Sequence, residues 1–312
     1  MVGPTLPSGA LVALATPMTP AGELDLAALD RLVDHVVAAG IAGISPCGST
    51  GEGARLTAHQ RLTVTARVIA RAEGLPVIAG VPVSAVPDAE LELRQLGDLG
   101  ARAALVAPPA YFPMSEAEVD RFYRRLADSS PVPLVLYNIP AFTRIPLPPP
   151  VIGRLASHGN IVGLKDSSRD LEYLQAAVQA VRSRQAGQSE PPNDFRIYTG
   201  TDTLLVPSAL AGADGSIAAS ANLVPELAVR MLGLVSVDLP AALDLQRHLV
   251  DVVAACRQGT PPSGWKAALS LAGLCSPAPV APASALNHDA VRRLREDLIS
   301  VGVLSGTKAG AH

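Results

Sequence analysis

Apolar positions along the chain follow two rhythms. Runs of strand length, rich in Val, Ile, Leu and Ala, recur at 9–16, 41–45, 77–81, 103–107, 134–137, 161–165, 195–199 and 214–218. Between them the apolar residues fall at helical spacing, as in Leu26, Leu29, Leu32, Val33, Val36 and Val37 ahead of Gly40, a stop signal. This spacing predicts helices at 26–39, 57–73, 86–99, 115–128, 147–157, 168–183, 202–211 and 223–235. One strand and one helix together take roughly 30 residues, the size of a βα unit. Continuously apolar strands need both faces covered, and parallel neighbours need crossover helices. Units of this kind close most economically as a (β/α)8 barrel, an α/β fold. An open doubly wound sheet is the alternative, but no glycine-rich dinucleotide fingerprint follows the first strand.

The strand rhythm ends near residue 238. Helical patterns at 239–258, 264–274 and 287–301 follow, separated by Pro261-Pro262 and a Pro/Ala stretch at 277–283. They are too few for an independent domain. The expectation is a barrel over 1–238 and a helical extension over 239–312 packed on its outside. Residues 184–193 read as a polar loop, and 305–312 as a frayed end. The 312 residues are 48% hydrophobic and 17% charged with net charge −3, which suits a globular protein with a large core and argues against a nucleic-acid partner. Cys47, Cys256 and Cys275 are odd in number and lack metal-ligand spacing, so neither disulfides nor a metal site are expected. That pattern fits a reducing cytoplasm. The first residues lack the basic and apolar regions of a signal peptide, and no apolar run reaches membrane length.

In a barrel of this type the chemistry sits at the carboxyl ends of the strands. The sixth strand runs through Asn160-Ile161-Val162-Gly163-Leu164 into Lys165, followed by Asp166-Ser167-Ser168. Lysine is strongly hydrated and seldom occupies the buried layers of a parallel sheet. It either snorkels to solvent or serves as an amine nucleophile of the Schiff-base kind. The second strand runs into Gly48-Ser49-Thr50-Gly51-Glu52, whose hydroxyls and backbone N–H groups suit a small carboxylate, or form a plain turn and helix cap. Tyr137 ends the fifth strand, one βα unit before Lys165, where a phenol can move protons for a carbinolamine or simply pack as a buried ring. Tyr111 stands in a Pro-rich loop after the fourth strand.

The ordered set GSTGE at 48–52, YNIP at 137–140 and GLKDSS at 163–168 resembles the pyruvate-dependent class I aldolases and lyases that include dihydrodipicolinate synthase and N-acetylneuraminate lyase. Gly200-Thr201-Asp202, Gly215-Ser216-Ile217 and Asn222 extend the likeness, which covers about residues 9–300. The resemblance implies that Lys165 forms an imine with pyruvate or another 2-oxo acid, whose carboxylate Ser49, Thr50 and Gly51 hold. It implies that Tyr137 is the acid/base, linked through the Thr50 hydroxyl to Tyr111 of a neighbouring subunit. Gly200, Asp202, Thr203 and Ile217 would line the substrate site. Homotetramers built as dimers of dimers are expected, with a small 2-oxo acid and an aldehyde as substrates. The imine is itself the electron sink, so no metal or organic cofactor is expected.

Departures from the resemblance bear on substrate. Phe142 stands where relatives of the synthase type carry an arginine for the second substrate's carboxylate, and Arg144 stands where a glycine is usual. Thr203 replaces the acidic residue of the sialic acid lyases. Ala58 and Ala110 do not suit a lysine feedback site, so lysine inhibition is not expected. The pattern is closer to aldolases of 2-oxo-3-deoxy sugar acids or 4-hydroxy-2-oxo acids. Dihydrodipicolinate synthase activity and a catalytically retired 2-oxo acid binding protein are the alternatives; intact Lys165, Tyr137 and Thr50 speak against the latter.

Overall fold

All eight expected strands are present and run parallel in one sheet: β1 Gly9–Ala13, β2 Gly43–Ser45, β3 Ile78–Pro82, β4 Ala103–Ala107, β5 Leu134–Asn138, β6 Ile161–Asp166, β7 Arg196–Thr199 and β8 Gly215–Ala218. The computed structural model describes residues 5–186 and 194–305. Spatial order is β2-β1-β8-β7-β6-β5-β4-β3. Pro46, which has no N–H, stops the β2 ladder early. The seam between β2 and β3 is therefore thin: Ile44 N–H donates to the Pro76 carbonyl at 3.0 Å, and Gly80 N–H to the Pro46 carbonyl at 2.9 Å. These bonds close a (β/α)8 barrel.

The helices are α1 Leu26–Ala38, α2 Ala58–Arg71, α3 Val86–Leu99, α4 Glu116–Ser129, α5 Pro140–Thr143, α6 Pro149–Leu155, α7 Leu171–Ala186, α8 Leu205–Leu210, α9 Pro225–Leu234, α10 Leu239–Cys256, α11 Ser263–Leu271 and α12 His288–Ser300. Local chemistry sets their ends. Thr57 with Gln60 and Ser115 with Glu118 form reciprocal capping boxes at α2 and α4, Asp25 and Asn287 cap α1 and α12, and Gly40 turns left-handed just past α1. Most boundaries differ from expectation by a few residues, and the differences at α7 and α5 have a local cause. Helix α7 starts at Leu171 because the Asp166 carboxylate takes the Ser168 N–H at 3.1 Å and the Ser168 hydroxyl at 2.8 Å, which holds the preceding residues in a turn. It then runs on to Ala186, so residues 184–186 are helical; the rest of the expected loop, 187–193, lies outside the described residues, as do 306–312 of the tail. Four-residue α5 is too short to leave a periodic signal.

Alternation along the strands divides the core. Leu11, Ala13, Ile78, Ala103, Leu105, Val135, Tyr137, Val162, Tyr198 and Ile217 fill the barrel interior, and Leu6 joins this cluster. The Tyr198 hydroxyl donates to the Pro7 carbonyl at 2.7 Å, which ties the entering chain to the barrel's amino-terminal end. Alternate residues such as Val12, Ile44, Val81 and Leu136 pack outward against the helices. Leu249, Val252, Leu294 and Leu298 of the extension share one apolar cluster with Val12 and Ile44. Gln246 of α10 accepts from Val206 N–H at 2.9 Å and donates to the Asp202 carbonyl at 3.1 Å, so the extension is bonded to the barrel's upper loops. Among the described residues no helix is long and apolar enough to cross a membrane, and Cys47, Cys256 and Cys275 are free and buried.

Candidate active site at the carboxyl ends of the strands

Lys165 points into the barrel from the penultimate position of β6 and is 3% exposed. Register places it beside Tyr137 on β5 and Tyr198 on β7. Its Nζ lies 4.5 Å from the centroid of the Tyr137 ring. Among the described residues this amine has no ion pair and no hydrogen bond, an unusual state for a buried lysine. Only three of the chain's 25 lysines and arginines are lysine: Lys165, Lys266 and Lys308. Arginine cannot lose its proton, so a position needing a neutral amine is one that arginine cannot fill. Space for the side chain comes from Gly200 after β7, where a Cβ would lie 2.7 Å from Lys165 Cε and 2.1 Å from Ser167 Oγ.

The Tyr137 hydroxyl meets Ser49 Oγ at 3.0 Å. The expected partner was Thr50, and within one chain the neighbouring hydroxyl takes its place; no hydrogen bond of the Thr50 side chain is found among the described residues. Residues 48–53 form a tight turn in which Glu52 N–H donates to the Ser49 carbonyl and Gly53 N–H to the Gly48 carbonyl, both at 3.1 Å. The Thr16 hydroxyl donates to the Gly51 carbonyl at 2.7 Å and fastens this turn to the loop after β1. Ser49 and Thr50 are both half-buried at its tip. Nothing else in the turn is an obvious acid or base apart from Glu52, whose carboxylate points away into the core.

One register step beyond Tyr137 and Lys165, Asn138 stands opposite Asp166. Asn138 Nδ2 donates to Asp166 Oδ1 at 2.7 Å, and Asn138 Oδ1 accepts from Leu147 N–H at 3.0 Å. Side chains alternate along a strand, so this bond lies on the opposite face of the sheet from the tyrosine and the lysine and fixes their relative register. Burial pushes the Asp166 carboxyl above its usual range, while bonds from Asn138 and Ser168 pull the other way. Neither residue was assigned a role from sequence, although Asn138 lies within the YNIP motif and Asp166 within GLKDSS. Asn222 does similar work elsewhere: it accepts from Ala15 N–H at 2.9 Å and donates to the Ala13 carbonyl at 2.8 Å, which joins the ends of β1 and β8.

The remaining candidates divide into two groups. Ile217 is fully buried in the interior below the site, and Asp202 is buried with its carboxylate accepting from Ser220 N–H at 2.7 Å, so its role in the free chain is to brace two loops. Thr203 is half-buried in the same 3₁₀ turn, Asp202–Leu204. Phe142 on α5 is 56% exposed, and Arg144, just after α5, is exposed with φ +58. Left-handed backbone at a non-glycine residue such as Arg144 costs about 1–2 kcal/mol. Tyr111 is 88% exposed and packs edge-to-face on Phe112 at 4.9 Å, away from the core.

A family model for the dihydrodipicolinate synthetase family matches residues 6–300. A 4-hydroxy-tetrahydrodipicolinate synthase of Xanthomonas campestris pv. campestris is 33% identical over 302 residues, which is 96% of this chain and 97% of that protein. Among solved structures, dihydrodipicolinate synthase from Thermotoga maritima has a TM-score of 0.90 at 26% identity, covering 96% of this chain and 100% of its own. A prophage protein of the dihydrodipicolinic acid synthase family from E. coli K12, solved in complex with pyruvate, has a TM-score of 0.89 at 28% identity, covering 95% and 99%. With the match spanning barrel and extension alike, this chain belongs to the dihydrodipicolinate synthetase family and is a lyase of that family.

Proposed function

We propose that the protein is a Schiff-base aldolase that joins pyruvate, or a related 2-oxo acid, to an aldehyde or reverses that reaction. The observation that carries this reading is the Lys165 amine, buried without an ionic partner above the Tyr137 ring. The amine adds to the C2 carbonyl, and loss of water from the carbinolamine leaves a protonated imine. That cation draws electrons, so a proton can leave C3 to give an enamine, or the C3–C4 bond of a longer substrate can break to the same enamine. Tyr137, bonded to Ser49, is placed to give and take the protons of these steps. Hydroxyls and N–H groups of the 48–53 turn orient the carboxylate and hence the reacting carbon. The imine supplies the electron sink, so the chemistry needs no metal or organic cofactor.

The acceptor follows from Phe142 and Arg144. A phenyl ring in place of an arginine removes a charge-assisted bond to an acidic second substrate, worth about 1.5–3 kcal/mol, or roughly 10- to 150-fold in rate. This favours aldehydes of the kind released from 2-oxo-3-deoxy sugar acids or 4-hydroxy-2-oxo acids. The second reading is 4-hydroxy-tetrahydrodipicolinate synthase, the name carried by the relatives that are about 30% identical. Borohydride reduction with pyruvate, followed by peptide mass spectrometry, should mark Lys165 in the wild type and leave Lys165→Ala and Lys165→Arg unmarked. A panel of aldehydes then separates the two readings. Condensation with aspartate semialdehyde as fast as with any other aldehyde would establish the synthase; a gain of that activity in Phe142→Arg supports the aldolase.

A further inference from the structure

Of the two lysines among the described residues, the second lies nowhere near the barrel mouth by sequence. Lys266 sits on α11 of the extension, and its side chain is 0% exposed. Its Nζ meets Glu52 Oε1 at 2.6 Å, a contact of opposite charges, and donates to the Ala278 carbonyl at 2.9 Å. Glu52 is the last residue of the GSTGE motif, and its side chain is likewise 0% exposed. The other oxygen, Oε2, accepts from Arg55 Nη1 and from Val280 N–H, both at 2.9 Å. Burial pulls the Lys266 ammonium below the ordinary lysine range, and the Glu52 carboxylate works against that pull. An isolated buried charge of either sign is strongly unfavourable, so Lys266 depends on Glu52 to stay inside, while Glu52 is supported by Lys266, Arg55 and the Val280 N–H together.

Placement gives this pair more than a packing role. Glu52 has left-handed backbone, φ +55, although it is not glycine, and its N–H closes the turn onto the Ser49 carbonyl. Gly53, the next residue, has no room to shift: a Cβ there would lie 1.8 Å from the Cys47 carbonyl oxygen. The Glu52 side chain, anchored by Lys266, Arg55 and Val280, is thus one hold on the turn, beside the Thr16 hydroxyl on the Gly51 carbonyl. From there the contacts run without a break from Ser49 Oγ to the Tyr137 hydroxyl, and from the Tyr137 ring to Lys165 Nζ. Arg61 of α2 holds the downstream part of the loop separately, donating to the Leu56 carbonyl at 2.6 Å and the Gly53 carbonyl at 3.3 Å. That downstream hold does not involve Lys266.

We propose that Lys266 of the C-terminal extension is a positioning residue for the 2-oxo acid site, holding Glu52 so that Ser49 and Thr50 meet the substrate carboxylate in one geometry. This rests on the reading of that turn as the carboxylate's seat. The extension is then part of the active site's second layer and not an appendage. An arginine at position 266 does not substitute, because its planar guanidinium needs more space than a compact ammonium in a site with no exposure.

The test measures borohydride trapping at Lys165 across a range of pyruvate concentrations in wild type, Lys266→Met and the neutralised double variant Glu52→Gln with Lys266→Met, alongside thermal melting. The expected result is a half-saturating pyruvate concentration raised about 10- to 100-fold in both variants, with the maximal trapped fraction of folded protein close to wild type. The double variant carries no buried charge and keeps the test sound if Lys266→Met alone does not fold. A lowered melting temperature with half-saturation within twofold of wild type, in whichever variant folds, assigns the pair a structural role and overturns the proposal. Wild type that traps no pyruvate at all overturns the functional reading itself, and the positioning role with it.

Discussion

Tyr137 and Ser49 share a hydrogen bond while Thr50 stands apart, and this ordering has kinetic consequences. Tyr137→Phe should still form the imine, because the amine and the carboxylate seat remain, but should lose about 10²–10⁴-fold in kcat. Trapping and steady-state turnover measured side by side check this, and an unchanged kcat removes Tyr137 from proton transfer. Ser49→Ala should cost more turnover than Thr50→Val in the free chain, by the several-fold that one hydrogen bond confers. Asp166 gives a pH-dependent signature. Its folded-state pKa is raised above the ordinary 3.8 by burial, so from that pH upward the folded protein holds on to a proton that the unfolded chain releases. Stability contributed by the protonated form is complete below that pH and is lost as pH rises through the folded value. The stability of wild type relative to Asp166→Asn should therefore fall as pH rises above about 4, by at most about 1.4 kcal/mol per pH unit. Chemical denaturation at several pH values reads this directly, and a difference that grows with pH would reverse the sign of the argument.

Strands β5, β6 and β7 do the positioning at the next scale. Parallel register sets Tyr137, Lys165 and Tyr198 in one row, and the Asn138–Asp166 bond prevents a slip that would send the amine to the helix side. The end of β7 must be glycine for the same row to close around Lys165. Gly200→Ala puts a methyl 2.7 Å from Lys165 Cε, and relief by side-chain movement displaces the reactive arm. We expect about 1–3 kcal/mol of overpacking and a larger fall in the imine-trapping rate than that destabilisation explains. Gly153→Ala is the control: its Cβ would crowd the Ala180 carbonyl at 2.9 Å, between α6 and α7. It should lower the melting temperature and leave trapping alone. Equal effects of both variants on trapping would show that Gly200 matters only for stability.

At the scale of the whole molecule, the loop after β4 exposes two large rings among the described residues: Tyr111 and Phe112 are 88% and 74% exposed and stack edge-to-face. We predict that these two adjacent rings are covered in a homo-oligomer, expected as a tetramer. Sedimentation should give an assembly larger than one chain, and Phe112→Asp should shift it towards smaller species with reduced activity. A fully active wild-type monomer would contradict this. The same scale contains the link from extension to active site, because α10, α11 and the 278–280 segment reach the loops after β2 and β7 through Gln246, Lys266 and Val280.

The barrel was readable along the chain because its strands and helices bury faces of fixed period, and a period is a local property. The places of Lys165, Tyr137 and the 48–52 turn at the ends of β6, β5 and β2 were readable for a related reason: each closes an apolar run. Three things were settled only by folding. The hydroxyl partner of Tyr137 is Ser49 and not Thr50, a choice between adjacent side chains that depends on how the turn is twisted. The Asn138–Asp166 bond needs the register of two strands, which neither strand carries alone. Glu52 ends a polar motif and Lys266 is the one cation of α11, Ser263–Leu271, and the sequence assigned neither a partner, because a charge normally stays in water. Only the tertiary structure brings them within 2.6 Å of each other and removes the water from both, and no pattern within either segment records a partner so far away in the chain.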